Sequence, residues 1–323
     1  MLFLLLGGCG VVADTYNKAA DPSDTAEAIV SVPKGVTPRK LGPVLAEAGV
    51  IDDADDFTTY ARLSKEGACL KAGRHRLSRS MTPHRILEVV CGAPLPEDTP
   101  FTVVEGWRIR EIDAALTAKG LITAGAYAAA AANGSAFKAS FPLPAGSLEG
   151  YLYPETYMIT PDRFEVGAFI QRQLDLFGER FAVPYQDKLG ERGLNEIVIM
   201  ASMLEREEPK PENRPMVAGI LWKRIDNGWN LGVDATSRYE LEDWNDRQAF
   251  LKRLRDPADP YNSRLRPGLP PTPIGNPALP SLVASASPVE SEFWYYLHDG
   301  SQNLHPSRNV AEHEAFRKRY NVY

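Results

Sequence analysis

Glu205 is the residue from which chemistry can be built most directly. It lies near the end of Leu194–Glu208 (LNEIVIMASMLEREE), a run with Asn195 as candidate N-cap and no helix breaker before Pro209. Steps of three and four back from Glu205 meet Ser202, Ala201, Val198, Ile197 and Leu194. The carboxylate therefore falls on the apolar stripe of the expected helix, with Arg206 turned towards its edge. A carboxylate at the end of an apolar face loses hydration, which favours its neutral form and suits a general acid near neutral pH. A structural ion pair with a loop arginine gives the same pattern. Glu207 and Glu208 are expected to be solvated.

Four other segments carry chemistry-bearing side chains. Leu148–Tyr157 holds three tyrosines and two acids around a Gly/Pro turn. Aromatic rings stack on sugar faces and carboxylates accept hydroxyl hydrogen bonds, so Glu149, Tyr153, Glu155 and Tyr157 are candidate ligand contacts. Downstream, Asp234 and Thr236 lie in one polar turn and Tyr261 and Asn262 in another, while Asn276 sits in the Pro-rich run Gly268–Pro277. Each of these also reads as ordinary turn chemistry.

Several chemistries lack their residues. The five histidines are scattered, with no HExxH or paired spacing, and no CxxC occurs, so no metal or cofactor is implied. Gly7-Gly8-Cys9-Gly10 lacks the Lys and Ser/Thr of a phosphate loop, and there is no GxSxG elbow. A net charge of −6 argues against nucleic acid, which needs clustered positive charge. Cys69 and Cys91 either pair or remain buried thiols.

The elements that must position these residues follow from pattern. With 44% hydrophobic and 24% charged residues, the chain is of ordinary globular composition and long enough for about two domains. A strand, Gly turn, amphipathic helix and Gly stop occur twice. Gly35/Gly106, Leu41/Ile112, Leu45/Leu116, Gly49/Gly120 and Ile51/Ile122 are each 71 positions apart. Helices are expected near Asp55–Glu66, Pro83–Val90 and Ala126–Ala132. The 26 prolines crowd into stiff loops such as Phe141–Pro144 and Pro267–Pro280. Leu2–Ala13 is an apolar run of 12 residues, short of the roughly 20 that span a bilayer. Core strand, signal peptide and clipped anchor all fit it, and Leu6-Gly7-Gly8-Cys9 loosely matches a lipobox. We read it as a membrane tether or its remnant.

Taken in order, LEGYLYPETY, ASMLERE, YNSRLRPGLPPTPIGNP and AEHEAFRKRY resemble the endolytic murein transglycosylase, or YceG-like, family. Val32-Pro33-Lys34-Gly35, Leu70-Lys71-Ala72-Gly73 and Val104-Glu105-Gly106 extend the resemblance over nearly the whole chain. It implies an α+β fold: a small LysM-like α+β module over 27–98, then a mixed α+β catalytic domain with a catalytic helix over 99–323. In that domain 99–140 repeats the module's strand–helix unit, and 1–20 would be the anchor. It also implies Glu205 as catalytic acid, peptidoglycan glycan strands as substrate and 1,6-anhydro ends as product. Peptidoglycan synthases would be partners. The protein would be a single-pass protein of the cytoplasmic membrane with its catalytic domain in the periplasm. Two motifs depart from the family: its Gln-Ser-Asp-Pro-Thr-Val reads Gly232–Ser237, and its His-Phe-Ser reads His305-Pro306-Ser307. A non-catalytic peptidoglycan-binding protein is the alternative. A polysaccharide hydrolase would need a second carboxylate, for which Glu149, Glu155 and Asp234 are candidates.

Overall fold

Residues 14–322 are described by the structure, a computed structural model. Leu2–Ala13 and Cys9, and with them most of the proposed anchor, lie outside the described residues. Among the described residues no helix is long and apolar enough to cross a membrane. The chain divides into two compact units, Met1–Thr99 with Ile159–Arg163, and Pro100–Met158 with Phe164–Tyr323.

The first unit is built on an antiparallel pair, β1 (Glu27–Val32) and β2 (Gly73–Ser78), in register from Glu27 opposite Ser78 to Val32 opposite Gly73. Between them run α1 (Pro38–Glu47) and α2 (Ala54–Ser64), and α3 (Pro83–Cys91) follows β2. The caps explain the boundaries. Asp53 accepts the N–H groups of Asp55 and Asp56, and Thr82 that of Arg85 ahead of Pro83. Alternate strand residues Val30 and Val32 pack with Leu41, Leu45, Phe57, Leu77, Ile86 and Val90 into one core.

Cys69 and Cys91 form a disulfide across 22 positions, tying the loop after α2 to the end of α3. That resolves the alternative left open by the sequence. Closing a loop of this length restricts the unfolded chain by about 3 kcal/mol. Reduction with dithiothreitol is therefore expected to lower the melting temperature of the first unit, while a Cys69→Ser/Cys91→Ser variant should no longer respond to reductant. Calorimetry with and without reductant measures this.

The second unit begins by repeating the first. β3 (Thr99–Thr102) leads into α4 (Ile109–Ala118), then α5 (Ala126–Ala131), and β3 pairs with β4 (Thr156–Ile159). The repeat is visible in the backbone: Gly35 and Gly106 have φ of 68° and 77°, and Gly49 and Gly120 have 71° and 69°. These left-handed conformations favour glycine. Leu41, Leu45, Ile112 and Leu116 are all fully buried. Asp113, buried on α4, accepts the N–H groups of Gly125, Tyr127 and Ala128 and so caps α5.

The rest of the unit surrounds one helix. After α6 (Val166–Phe177) comes α7 (Gly193–Glu207), with α8 (Arg214–Asp226) after a short turn. α9 (Arg247–Arg253) lies in the loop region that precedes α10 (Leu279–Ala286), which packs on both α7 and α8. An antiparallel hairpin of β5 (Tyr295–His298) and β6 (Leu304–Ser307) carries the last helix, α11 (Val310–Tyr320). Ile197 to Leu204 are buried without interruption, so α7 is enclosed on every side rather than along one stripe. It starts at Gly193, and Asn195 is no cap: its side chain accepts the Tyr151 hydroxyl at 3.0 Å. Mixed α+β architecture is what the sequence implied.

Candidate active site

Glu205 is where α7 leaves the core. Its side chain is 4% exposed and meets Arg214, the first residue of α8, whose Nη2 lies 2.9 Å from Oε1 and Nη1 3.4 Å from Oε2. The arginine is itself fixed by donating Nε to the Glu208 carbonyl at 3.0 Å. A third donor, the Ala278 N–H, reaches Oε2 at 2.9 Å. Ala278 is the N-cap of α10, so the carboxylate also faces the positive end of a helix dipole. Glu205 thus has an arginine partner, supplied by the start of a helix rather than by a loop.

Two pins hold the 274–278 segment, one to α7 and one to the turn after β3. Ser202 accepts the Ile274 N–H at 2.9 Å while donating to the Ile199 carbonyl. The Gly106 N–H then donates to the Asn276 carbonyl at 2.7 Å, and the Asn276 N–H to the Trp107 carbonyl at 2.9 Å. This bridge sets the turn after β3 beside Glu205. The result is a cleft of about 540 Å³, walled by β3 and its turn through Glu105, by 153–156, and by Ala278–Pro280, with Glu205 on its surface.

The sequence-derived candidates divide among several places. Tyr153 and Glu155 line this cleft with Glu205. Burial pushes the Tyr153 hydroxyl upward. Glu155 is exposed, and its carbonyl accepts the Val103 N–H at 2.9 Å, joining two of the walls. Tyr157 does not face the cleft: it is buried, and its hydroxyl donates to the Tyr153 carbonyl at 2.6 Å. Asn276 is fully buried and works as a strut. Its Oδ1 accepts the N–H groups of Gly150 and Leu152, and its Nδ2 reaches the Trp107 carbonyl and Glu149.

Glu149 is buried among donors rather than presented to a ligand. It accepts the Ile109 N–H at the start of α4, the Tyr239 hydroxyl at 3.1 Å and Asn276 Nδ2 at 3.1 Å. Burial nevertheless pushes its carboxyl up to about 7, these donors and Arg108 pulling the other way. A carboxyl raised on folding is protonated in the native state while the unfolded chain has already ionised. Its stabilising contribution is full below about pH 4.5 and lost as pH rises through about 7. Stability is expected to fall by about 3 kcal/mol across that window in the wild type, and Glu149→Gln should flatten the slope. Urea unfolding at pH 5 and pH 8 measures both.

The remaining candidates lie elsewhere. Thr236 and Asn262 are fully buried in their turns: Thr236 donates to the Val233 carbonyl, and Asn262 Nδ2 to those of Arg253 and Asp256. The Tyr261 hydroxyl meets Thr272 Oγ1 at 2.8 Å, and its ring packs on Tyr239. Asp234 opens on a different cleft of about 480 Å³, paired with Arg264 at 2.6 Å.

That second cleft corrects the expected solvation of the last two glutamates of the run. Glu207 lines it, with Tyr296 Oη at 3.3 Å, and burial raises its carboxyl. Glu208 is wholly buried and bonds His298 Nε2 at 2.9 Å. The hairpin β5–β6, some 90 residues downstream, supplies both partners, and nothing local announces it. Sequence reasoning also passed over Arg214 and Glu105. Among the described residues, no group of three or more His, Cys, Asp or Glu side chains is placed to hold a metal ion.

Comparison with known proteins agrees with this architecture. The YceG-like family model matches residues 30–319. An endolytic murein transglycosylase of Streptococcus pneumoniae strain D39 is 26% identical over 88% of this chain. The chain spans 58% of that relative's length. The endolytic murein transglycosylase of Bacillus subtilis strain 168 is 22% identical over 98% of this chain and 91% of its own. A crystal structure of a YceG-like protein from Listeria monocytogenes superposes with a TM-score of 0.59 at 22% identity, covering 90% of this chain and 99% of the other. That likeness supports the fold. With 290 of its 323 residues inside the family model, the chain belongs to the YceG-like family.

Proposed function

We propose that this protein is a lytic transglycosylase that cuts the β-1,4 bond between N-acetylmuramic acid and N-acetylglucosamine within peptidoglycan strands. The observation that carries the reading is Glu205, emerging from a buried helix onto an open cleft beside two segments rich in apolar and hydroxyl-bearing residues. The names borne by the pneumococcal and Bacillus relatives support it. In its acid form Glu205 donates to the glycosidic oxygen as the C1–O bond breaks. Its carboxylate then takes the proton of the muramic acid 6-hydroxyl, whose oxygen closes on C1 to give the 1,6-anhydro end. The nucleophile belongs to the substrate, so proximity supplies much of the acceleration and water is not consumed. No cofactor enters these steps.

Three further parts of the reading are proposals of the same kind. The β1–α1–α2–β2 order of the first unit supports a LysM-like module that holds glycan. A disulfide in that unit suits an oxidising compartment, in keeping with a periplasmic enzyme tethered through its N-terminus. Glycan-polymerising synthases are the partners such an enzyme would meet, ending strands as they grow.

The test is digestion of purified glycan strands followed by mass spectrometry. Internal cuts with 1,6-anhydro ends are expected. Hydrolysed ends would instead favour the hydrolase reading, which gains from Glu105 and Glu155 opening on the same cleft. Binding without cleavage would make the protein a peptidoglycan-binding module.

A further inference from the structure

The proposed first step needs a proton where Arg214 sets a positive charge. The cleft holds a group that answers this. Glu105, in the turn after β3, opens on the cleft with Glu205. Its neighbour Gly106 is packed so closely that a methyl group built there would lie 3.4 Å from Glu205 Cγ and 3.3 Å from Arg206 Nε. The backbone bridge from Gly106 and Trp107 to Asn276 fixes this proximity.

The charges around Glu105 are few. From α7 come Glu205 and Arg206, from α8 Arg214, and from the 153–156 wall Tyr153 and Glu155. Arg206 is engaged elsewhere: its Nη2 pairs with Glu111 at 3.2 Å and its guanidinium lies 4.0 Å over the Trp244 ring. Arg214 is bidentate on Glu205. Glu105, Glu155 and Glu205 therefore share one cleft, at which Arg214 is already paired with Glu205, and the excess negative charge favours uptake of a proton. Partial burial in the cleft and the charge of Glu205 raise the Glu105 carboxyl, with Arg214 opposing. The carboxyl of Glu105 accepts no hydrogen bond among the described residues, so it is free to hold that proton.

We propose that Glu105 is the second functional carboxyl of this cleft, holding together with Glu205 the proton that cleavage of the glycosidic bond requires. This rests on the transglycosylase reading. The proton passes from the pair to the glycosidic oxygen, which keeps the electron pair of the broken C1–O bond. The 6-hydroxyl oxygen bonds C1 and returns its proton to the pair. The pair ends with the proton it began with, and no co-reactant is needed. Glu105 acts through Glu205 and is a positioning residue for the proton.

The experiment is the pH dependence of kcat and kcat/KM on purified glycan strands for wild type, Glu105→Gln, Glu105→Asp and Glu205→Gln. Removing one negative charge weakens the pair's hold on its proton. In Glu105→Gln the alkaline limb should move about one pH unit lower and kcat at pH 7 should fall about tenfold, with KM within about twofold. Glu105→Asp should restore the limb. An unmoved limb in Glu105→Gln, or an equal loss at every pH, overturns the role of Glu105 and leaves the transglycosylase reading standing. A wild-type protein that releases no anhydro ends, or a Glu205→Gln variant that still does, overturns both.

Discussion

Glu205→Gln is expected to abolish strand cleavage while leaving a folded protein. Glutamine keeps the shape of the carboxyl and one oxygen for the Ala278 N–H, which is 2.9 Å from Oε2 in the wild type. It can neither donate a catalytic proton nor accept one. Proton transfer by a positioned side chain is worth about 10²–10⁴-fold, and where one residue serves both steps the whole of that factor is at stake. Release of anhydro ends should therefore fall at least a hundredfold. The substitution also leaves Arg214, 5% exposed, without its charge partner. Breaking a buried pair by removing one member costs about 3–5 kcal/mol, and the amide oxygen should recover part of it. Glu205→Ala recovers none and is the poorer variant, because lost activity and lost stability would then coincide. Circular dichroism and thermal melts beside the digestion separate the two. A Glu205→Gln protein that melts normally and still releases anhydro ends would remove Glu205 from the mechanism.

Gly275→Ala should do comparable damage without touching any reacting group. A Cβ at Gly275 would stand 2.3 Å from the Gly106 carbonyl oxygen, which is backbone and has no rotamer to move. Relief requires the two segments to part, which breaks the Gly106–Asn276 and Asn276–Trp107 hydrogen bonds. Two buried backbone bonds and the strain of overpacking together amount to about 3–5 kcal/mol. The larger consequence is geometric: the Glu105 turn and the segment ahead of Ala278 are the two sides of that bridge. Catalysis is expected to fall more than tenfold even at temperatures where the variant is folded, since misplacing groups by about 1 Å can cost about a hundredfold. Gly167→Ala is the control. It lies in α6 with no atom within 4 Å of an added Cβ, and alanine there should be neutral or stabilising by up to about 1 kcal/mol. Thermal melts and initial rates of both variants test the pair.

How far the sequence reached depends on how far apart the partners are. Local sequence placed α2, α3, α5 and α7 within a few residues: α2 and α3 carry their own caps, α5 is a run of alanines, and α7 meets no helix breaker before Pro209. The repeat was legible because left-handed glycines and buried leucines recur in one register. The end of α7 was only half legible. Glu205 stood out from its position on the helix. Arg214, nine residues on, looked like any charged residue ahead of a proline. Glu105 is an exposed acid in a turn, and its relation to Glu205 exists only through the Asn276 bridge. Asn276 and Glu149 show the reverse error. Buried polar struts and ligand contacts share a residue vocabulary, and only the count of satisfied hydrogen bonds separates them. Glu207 and Glu208 were read as solvated because the tyrosine and histidine that cover them arrive with a distant hairpin.

The walls of the cleft have a consequence for the life of the chain. They come from 102–105, 153–156, Glu205 and 278–280, so the first and last of them stand 176 positions apart in the chain. Until α10 docks on α7, Glu205 has neither the Ala278 N–H nor a groove to act in. Contacts of such long sequence separation form late, after the entropy of closing the intervening loops has been met. A chain in which that docking has not occurred lacks the cleft on which the proposed cleavage depends. On the proposed function, cutting power would come only with this late docking, which guards against premature cleavage.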